Sequence, residues 1–286
     1  MIAYINQIFT AAEKAALPIG DLAIQRGYAV FDYFRIKHNA PLFLDDYLDR
    51  FFRSADLMFL HPVQTREEVK SIMSELMAQN KMAESGMRMI LTGGCSPDHY
   101  EPALPNLVIV QEELQMPSHE RFMAGVKVIT HEYQRDLPLV KTTNYLMGVW
   151  MQHKIRAQNA SDVLYHKQGN VSELPRANVM MVTKDGRIVT PSENILQGIT
   201  RMKLLELAAH KYSVELRELS VAELKNAAEV FMTSTTKRIL PIVQLDEFVI
   251  GNGKAGPVTS LLNAAFIEME NNHHLAMTPT GTTLKI

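Results

Sequence analysis

Lys141 stands in the stretch "RDLPLVKTTNYL", where an apolar run meets the predicted start of a helix. A lysine desolvated in such a place has a lowered pKa and a more nucleophilic amine, which is what a Schiff-base lysine needs. A lysine by itself is more often a surface group paired with an acid, so the chemistry depends on partners elsewhere in the chain. Glu173, in "NVSELPRAN", lies between Val171 and Leu174 within strand-rich sequence. On an edge strand it would face water, whereas buried it would need a cationic partner, and a protonated pyridine nitrogen would serve. In "ILQGITR", residues 195–201, a glycine precedes Ile199 and Thr200 at a predicted helix N-terminus. Free backbone N–H groups and a hydroxyl there suit an anion, phosphate being the usual occupant. "TSTTK", residues 233–237, sets four hydroxyls between two apolar strands, either as a polar loop or as a second set of phosphate donors.

The first half of the chain offers cations. Arg50 lies on the predicted helix "LDDYLDRFFRSADLMFL", either paired with Asp46 one turn earlier or aimed inward at a phosphate. Arg26, Arg35 and Arg88 lie in or beside strands, and Arg88 in "GMRMIL" has long apolar neighbours on both sides. Asp98 and His99, in "SPDHY", read as loop residues, because nothing around them has metal-ligand spacing.

These residues need a scaffold. "AYINQIFT" and "AVFDYFRI" have strand composition, and two amphipathic helices follow, the second with Thr65 as its N-cap. "GMRMILTGG" and "NLVIVQEEL" read as strands. The polar segment "QMPSHERF", residues 115–122, reads as a linker between a small domain, 1–114, and a larger one, 123–286. In the larger domain "LPLV" suits a short buried strand, residues 144–157 a helix, and "KQGN" and "KDGR" tight turns between strands. A further helix begins at Thr200 as its cap, and "KAGPVTSLLNAAFIEMEN" forms a terminal one. The fold class is α+β with two domains.

Composition narrows the function. The chain has 286 residues, 47% of them hydrophobic, enough for sizeable cores. A net charge of −2 with no long run of one sign argues against nucleic acid or a membrane surface as partner. One cysteine, Cys95, rules out an internal disulfide framework and fits a reducing compartment. With no signal-peptide pattern and no apolar run of spanning length, a cytoplasmic protein is expected.

Lys141, Glu173, "GIT" and "STT", in this order and spacing, resemble the class IV aminotransferases, the fold type IV enzymes that use pyridoxal 5′-phosphate. The resemblance runs from "AYINQIF" through "RGYAVFDYFRI" and "LDDYLDR" to "TSTTKRILPI". It implies a small N-terminal α/β domain and a pseudo-barrel C-terminal domain. It also implies that Lys141 forms the Schiff base and shuttles the proton, and that Glu173 pairs with the pyridinium nitrogen. Arg50, Ile199, Thr200, Thr235 and Thr236 would hold the phosphate, Leu196 would pack on the ring, and Tyr145 would meet its phenolic oxygen. A homodimer with the active site near its interface is implied as well. "KTTN" and "TSTT" are similar to the D-amino acid transaminases and aminodeoxychorismate lyases. "VFDYFR" is closer to the branched-chain "VFEGIR", with Tyr33 in place of the glycine. The typical D-type loop carries an arginine and a histidine two residues apart; in "SPDHYEP" that arginine is absent and Asp98 stands near its place, so Arg88 first, then Arg26 and Arg176, become candidates for a substrate carboxylate. The expected reaction is transamination between an amino acid, D-configured by preference, and 2-oxoglutarate or another 2-oxo acid. A branched-chain L-amino acid transaminase, an aminodeoxychorismate lyase and a non-catalytic binding protein of the same fold are the alternatives.

Overall fold

The computed structural model describes residues 1–277, so residues 278–286 of the expected larger domain lie outside it. Two sheets carry the architecture. In the first half the order is β1 (Ile2–Ile5), β2 (Ile8–Ala11), α1 (Leu22–Arg26), β3 (Ala29–Lys37), β4 (Ala40–Pro41), α2 (Leu44–Leu57), α3 (Arg66–Asn80), β5 (Ser85–Thr92) and β6 (Leu107–Glu112). Its six strands form an antiparallel sheet in the order β2-β1-β6-β5-β3-β4. "AYINQIFT" is thus a hairpin and not one strand. Asn6 and Gln7 both have positive φ, the turn geometry that matches the twist of paired strands. Thr65 caps α3 as expected, in a reciprocal capping box with Glu68.

The second half contains α4 (His119–Ala124), β7 (Val126–Glu132), α5 (Leu146–Trp150), α6 (Gln152–Ala157), β8 (Asp162–Lys167), β9 (Asn170–Val171), β10 (Asn178–Val182) and β11 (Ile188–Thr190). It continues through α7 (Ile199–Ala209), β12 (Val214–Leu216), α8 (Val221–Lys225), β13 (Glu229–Ser234), β14 (Arg238–Leu245), β15 (Phe248–Val249) and α9 (Pro257–Met277). These strands form a nine-stranded mixed sheet, β12-β11-β10-β13-β14-β7-β8-β9, with β15 added to β14. The chain passes between the sheets through residues 113–125, in which Ser118 caps the short α4. The fold is α+β, with the tight turns at "KQGN" and "KDGR" where the sequence sets them.

One hydrophobic cluster joins the sheets. Tyr4, Phe34 and Phe51 of the first half pack with Met180, Phe231 and Ile239 of the second and with Leu262 and Phe266 of α9. Burying side chains of this size is worth about 1.5–3 kcal/mol each, which holds the seam closed. Backbone hydrogen bonds also cross the seam. Phe31 N–H donates to the Lys141 carbonyl at 2.9 Å, Thr143 N–H to the Ala29 carbonyl at 3.0 Å, and Lys141 N–H to Ser54 Oγ at 3.2 Å.

Three local expectations are corrected. "LPLV" is a turn: Val140 N–H returns to the Leu137 carbonyl, and Leu137 and Leu139 are about half exposed. The helix expected over 144–157 breaks at Met151 into α5 and α6. α7 has Gly198 at its cap, two residues before the expected one, so Thr200 lies inside its first turn.

Candidate active site

A cavity opens at the seam. It is lined by Lys141 and Tyr145 after β7, by Glu173 and the Pro175–Asn178 turn before β10, and by Arg50 of α2. Leu196, Ile199 and Thr200 at the start of α7, and Thr233 to Thr235 at the end of β13, complete the wall. Residues far apart in sequence meet because β3 and α2 pack against the Lys141 segment.

The Lys141 amine lies over the Phe31 ring, 4.6 Å from its centroid. Burial and the nearby Arg50 cation lower its pKa to about 7, against the pull of Asp32 and Glu173. Near neutral pH much of this lysine is therefore uncharged and nucleophilic, as its sequence context suggests.

Glu173 is 5% exposed. It does not sit on a strand but follows β9, and a bridge between Leu174 and Ala177 closes the turn after it. Arg135 Nε donates to Glu173 Oε1 at 2.7 Å, and Leu196 N–H donates to Oε2 at 2.9 Å. Burial still raises its carboxyl pKa despite Arg135. The same arginine donates to the carbonyls of Val140 at 3.0 Å and Pro138 at 2.6 Å, so it ties the turn before Lys141 to Glu173.

Arg50 is 4% exposed and does not pair with Asp46. Its Nε and Nη2 meet the two oxygens of Asp32 at 2.8 and 2.6 Å, and Nη1 donates to the Gln197 carbonyl at 3.2 Å. Burial opposes the Arg50 charge, but Asp32 more than offsets it and the pKa is raised. Of the five guanidinium N–H groups, these bonds use three. Asp46 instead pairs with Lys203.

The far wall carries unspent hydrogen-bonding capacity. Thr233 Oγ1 and Ser234 Oγ are buried without a partner, and an unpaired buried hydroxyl is costly. Gly198 lets the chain pass close to Asn178; a Cβ there would lie 2.0 Å from Asn178 Oδ1. Beside it the first turn of α7 presents N–H groups with no side-chain cap. Thr235 Oγ1 shares a hydrogen bond with Tyr47 at 2.9 Å. An oxyanion the size of a phosphate would satisfy these donors, so the residues fit a phosphorylated cofactor with an acidic-partner-seeking ring nitrogen and a carbonyl.

A wider cleft adjoins this cavity. Phe31, Tyr33, Arg88, Lys141, Tyr145, Arg176, Thr235 and Thr236 are among its walls. Arg88 is not idle there: Nε and Nη2 grip both oxygens of Glu112 at 2.6 and 2.9 Å, and its guanidinium stacks on Tyr33. Arg176 lines both spaces and forms no hydrogen bond or ion pair among the described residues. Arg26 ends α1 on the exposed surface, donates to the neighbouring Gln25 carbonyl at 3.0 Å, and lines neither space. Asp98 accepts hydrogen bonds from Ser96, Tyr100 and Glu101 within its own loop. Among the described residues no group of acids, histidines and cysteines could hold a metal ion, and no helix is long and apolar enough to cross a membrane.

Sequence reasoning missed Arg135 and Asp32. Asp32 left a signal: a carboxylate between Phe31 and Tyr33 in a largely apolar strand demands a buried cation. Arg135 left none, since its partner lies beyond two further helices.

This pair of sheets, closed over a lysine and an anion cradle, defines a fold type IV protein. The branched-chain amino acid aminotransferase from Escherichia coli superposes with a TM-score of 0.86 at 22% identity, over 95% of this chain and 95% of that one. A putative 4-amino-4-deoxychorismate lyase from Legionella pneumophila superposes with a TM-score of 0.81 at 22% identity, over 92% and 97%. The chain belongs to the class IV aminotransferase family, whose model matches residues 29–245. A D-alanine aminotransferase of Listeria monocytogenes is 29% identical over 92% of this chain and 94% of its own length.

Proposed function

We propose that this class IV aminotransferase uses pyridoxal 5′-phosphate, carried on Lys141, to move an amino group from a D-amino acid to 2-oxoglutarate or another 2-oxo acid. The observation that carries the reading is the desolvated Lys141 amine in one cavity with the buried Glu173 carboxylate and the unpartnered hydroxyls of Thr233 and Ser234. When bound, the cofactor supplies an electron sink conjugated with the α-carbon of the amino acid.

The chain supplies the rest. Glu173, held by Arg135 and the Leu196 amide, keeps a proton on the ring nitrogen. The two uncommitted N–H groups of Arg50, the amides of Ile199 and Thr200, and the hydroxyls of Thr235 and Thr236 would hold the phosphate. Leu196 would pack on one ring face, and the Tyr145 hydroxyl, its pKa raised chiefly by burial, would donate to the ring's phenolic oxygen. Lys141 Nζ, uncharged near neutral pH, would take the α-proton and return it, with burial limiting the access of water. Arg176, the unpaired guanidinium, meets a substrate carboxylate, while Tyr33 and Arg88 shape that end of the cleft.

The D preference draws on the "KTTN" and "TSTT" patterns and on the D-alanine aminotransferase relatives. A panel of D- and L-amino acids with 2-oxoglutarate, with Lys141→Ala as control, tests it. Turnover confined to D-amino acids and abolished by the substitution is expected; turnover of branched-chain L-amino acids alone overturns the stereochemical assignment. A homodimer is part of the proposal, supported by the exposed apolar side chains of Leu137, Leu139, Leu146, Val149 and Trp150 on the segments that flank Lys141 in the chain. A monomer in sedimentation would contradict it.

A further inference from the structure

Buried charges around the cavity do not balance evenly. Arg50 is matched by Asp32, and Arg135 by Glu173. Arg201, the third residue of α7, is matched by nothing. It is 4% exposed and forms no ion pair with a described residue. Its guanidinium donates only to neutral acceptors: Thr190 Oγ1 at 3.1 Å, Gln197 Oε1 at 3.1 Å and the Pro191 carbonyl at 2.8 Å. Burial alone pushes its pKa down to about 10, with no acid to lift it. A buried cation without a counter-charge is expensive, and a fold that keeps one has a use for it.

Its surroundings indicate the use. Gln197 takes Arg201 on its side chain and Arg50 on its carbonyl, so one residue joins both guanidinium groups. The same first turn of α7 turns the Ile199 and Thr200 segment towards the cavity, opposite the unpartnered hydroxyls of Thr233 and Ser234. Arg50 brings no net charge to that point, because Asp32 cancels it. Lys141, with its pKa near neutrality, brings only a fraction of one.

We propose that Arg201 is the counter-charge of the anion bound at the start of α7, holding a phosphate there in its dianionic form from behind the helix turn without lining the cavity. This rests on the reading of the cavity as a phosphate-cofactor site. Arg201 acts through the field and through Gln197, so it is a positioning residue and not a catalytic one.

The test uses phosphorus NMR of the protein loaded with pyridoxal 5′-phosphate, titrated with acid. A free phosphate monoester takes up its second proton near pH 6, by rough reference. In the wild type the bound phosphate should stay dianionic at least about one pH unit below that point. In Arg201→Gln, which keeps neutral hydrogen bonding, its titration should return towards the free value. Affinity for pyridoxal 5′-phosphate should fall roughly tenfold or more, while affinity for pyridoxal, which lacks the phosphate, should not change. Arg201→Lys should restore both properties in large part. A purely structural role would weaken both ligands alike and leave the titration unmoved. Should Arg201→Gln titrate like the wild type, the counter-charge role is overturned while the cofactor site stands. Should the wild type bind no pyridoxal 5′-phosphate, the proposed function itself falls. A wild-type phosphate that titrates as in free solution overturns the role even if the variants do not fold.

Discussion

Replacing Arg135 with methionine removes the sole ion-pair partner, among the described residues, of a carboxylate that is 5% exposed. Breaking a buried pair from one side costs about 3–5 kcal/mol, because the other charge stays behind uncompensated. The bonds from Arg135 to the Val140 and Pro138 carbonyls, at 3.0 and 2.6 Å, add about 1 kcal/mol each. The 3.5 Å approach to the Leu137 carbonyl adds little. The loss, about 5–7 kcal/mol before relaxation, rivals the whole stability of many proteins. The sign of its pH dependence follows from Glu173. Its folded-state pKa already lies above the unfolded value, so ionising it costs native stability, and that cost appears as pH rises through the folded value. Without Arg135 the folded value rises further. The deficit of Arg135→Met should therefore be largest at neutral to alkaline pH and shrink towards the ordinary carboxylate range. Urea unfolding of the cofactor-free protein measures it. The double variant Arg135→Met with Glu173→Gln should be more stable than Arg135→Met by about 2–3 kcal/mol, since it removes the stranded charge. A double variant no more stable than the single one would refute this reasoning and leave the carbonyl tether as the main role of Arg135.

Three further outcomes are expected. Reductive methylation of Lys141, followed by peptide mass spectrometry, should rise with an inflection near pH 7, as its pKa of about 7 requires; an inflection near the ordinary lysine value of about 10.4 would remove the basis for its reactivity. Gly86→Ala should destabilise the protein by roughly 1–3 kcal/mol in thermal unfolding, because a Cβ there would lie 1.7 Å from the Tyr33 hydroxyl, and Tyr33→Ala in the same chain should relieve much of the loss. Arg176→Leu should raise the KM for the 2-oxo acid about tenfold or more while Arg26→Leu changes nothing in the monomer's own cleft; an unaltered KM in Arg176→Leu would move the carboxylate site elsewhere.

Much of the site was legible because its residues carry local signatures. A lysine after an apolar run, a glycine before a helix and a row of hydroxyls between strands each encode a backbone environment within a few residues. The structure brings Lys141, Glu173, Arg50, Ile199, Thr200 and Thr235 around one cavity. What the sequence hid were the pairings. Arg88 sits in an apolar strand, but Glu112, which stands opposite Gly86 on β6, reaches it diagonally, and only strand register reveals that. Arg135 and Glu173 are separated by two helices and a strand pair, so neither predicts the other. "LPLV" has apolar composition without full burial: the carbonyls of Pro138 and Val140 are held by Arg135, and both its leucines are about half exposed. The break at Met151 has no Gly or Pro beside it to announce it.

The hydrogen bonds from Phe31 and Thr143 that flank Lys141 have a consequence for the chain while it is being made. β3 and α2, which cover Lys141, precede it in the chain and lie in the other half of the fold. Until the later segment docks on β3, that lysine is an ordinary hydrated amine, charged and slow towards carbonyl compounds. Its reactivity is therefore acquired only on assembly of the two halves. A chain whose halves are parted carries no activated amine to be consumed by stray aldehydes.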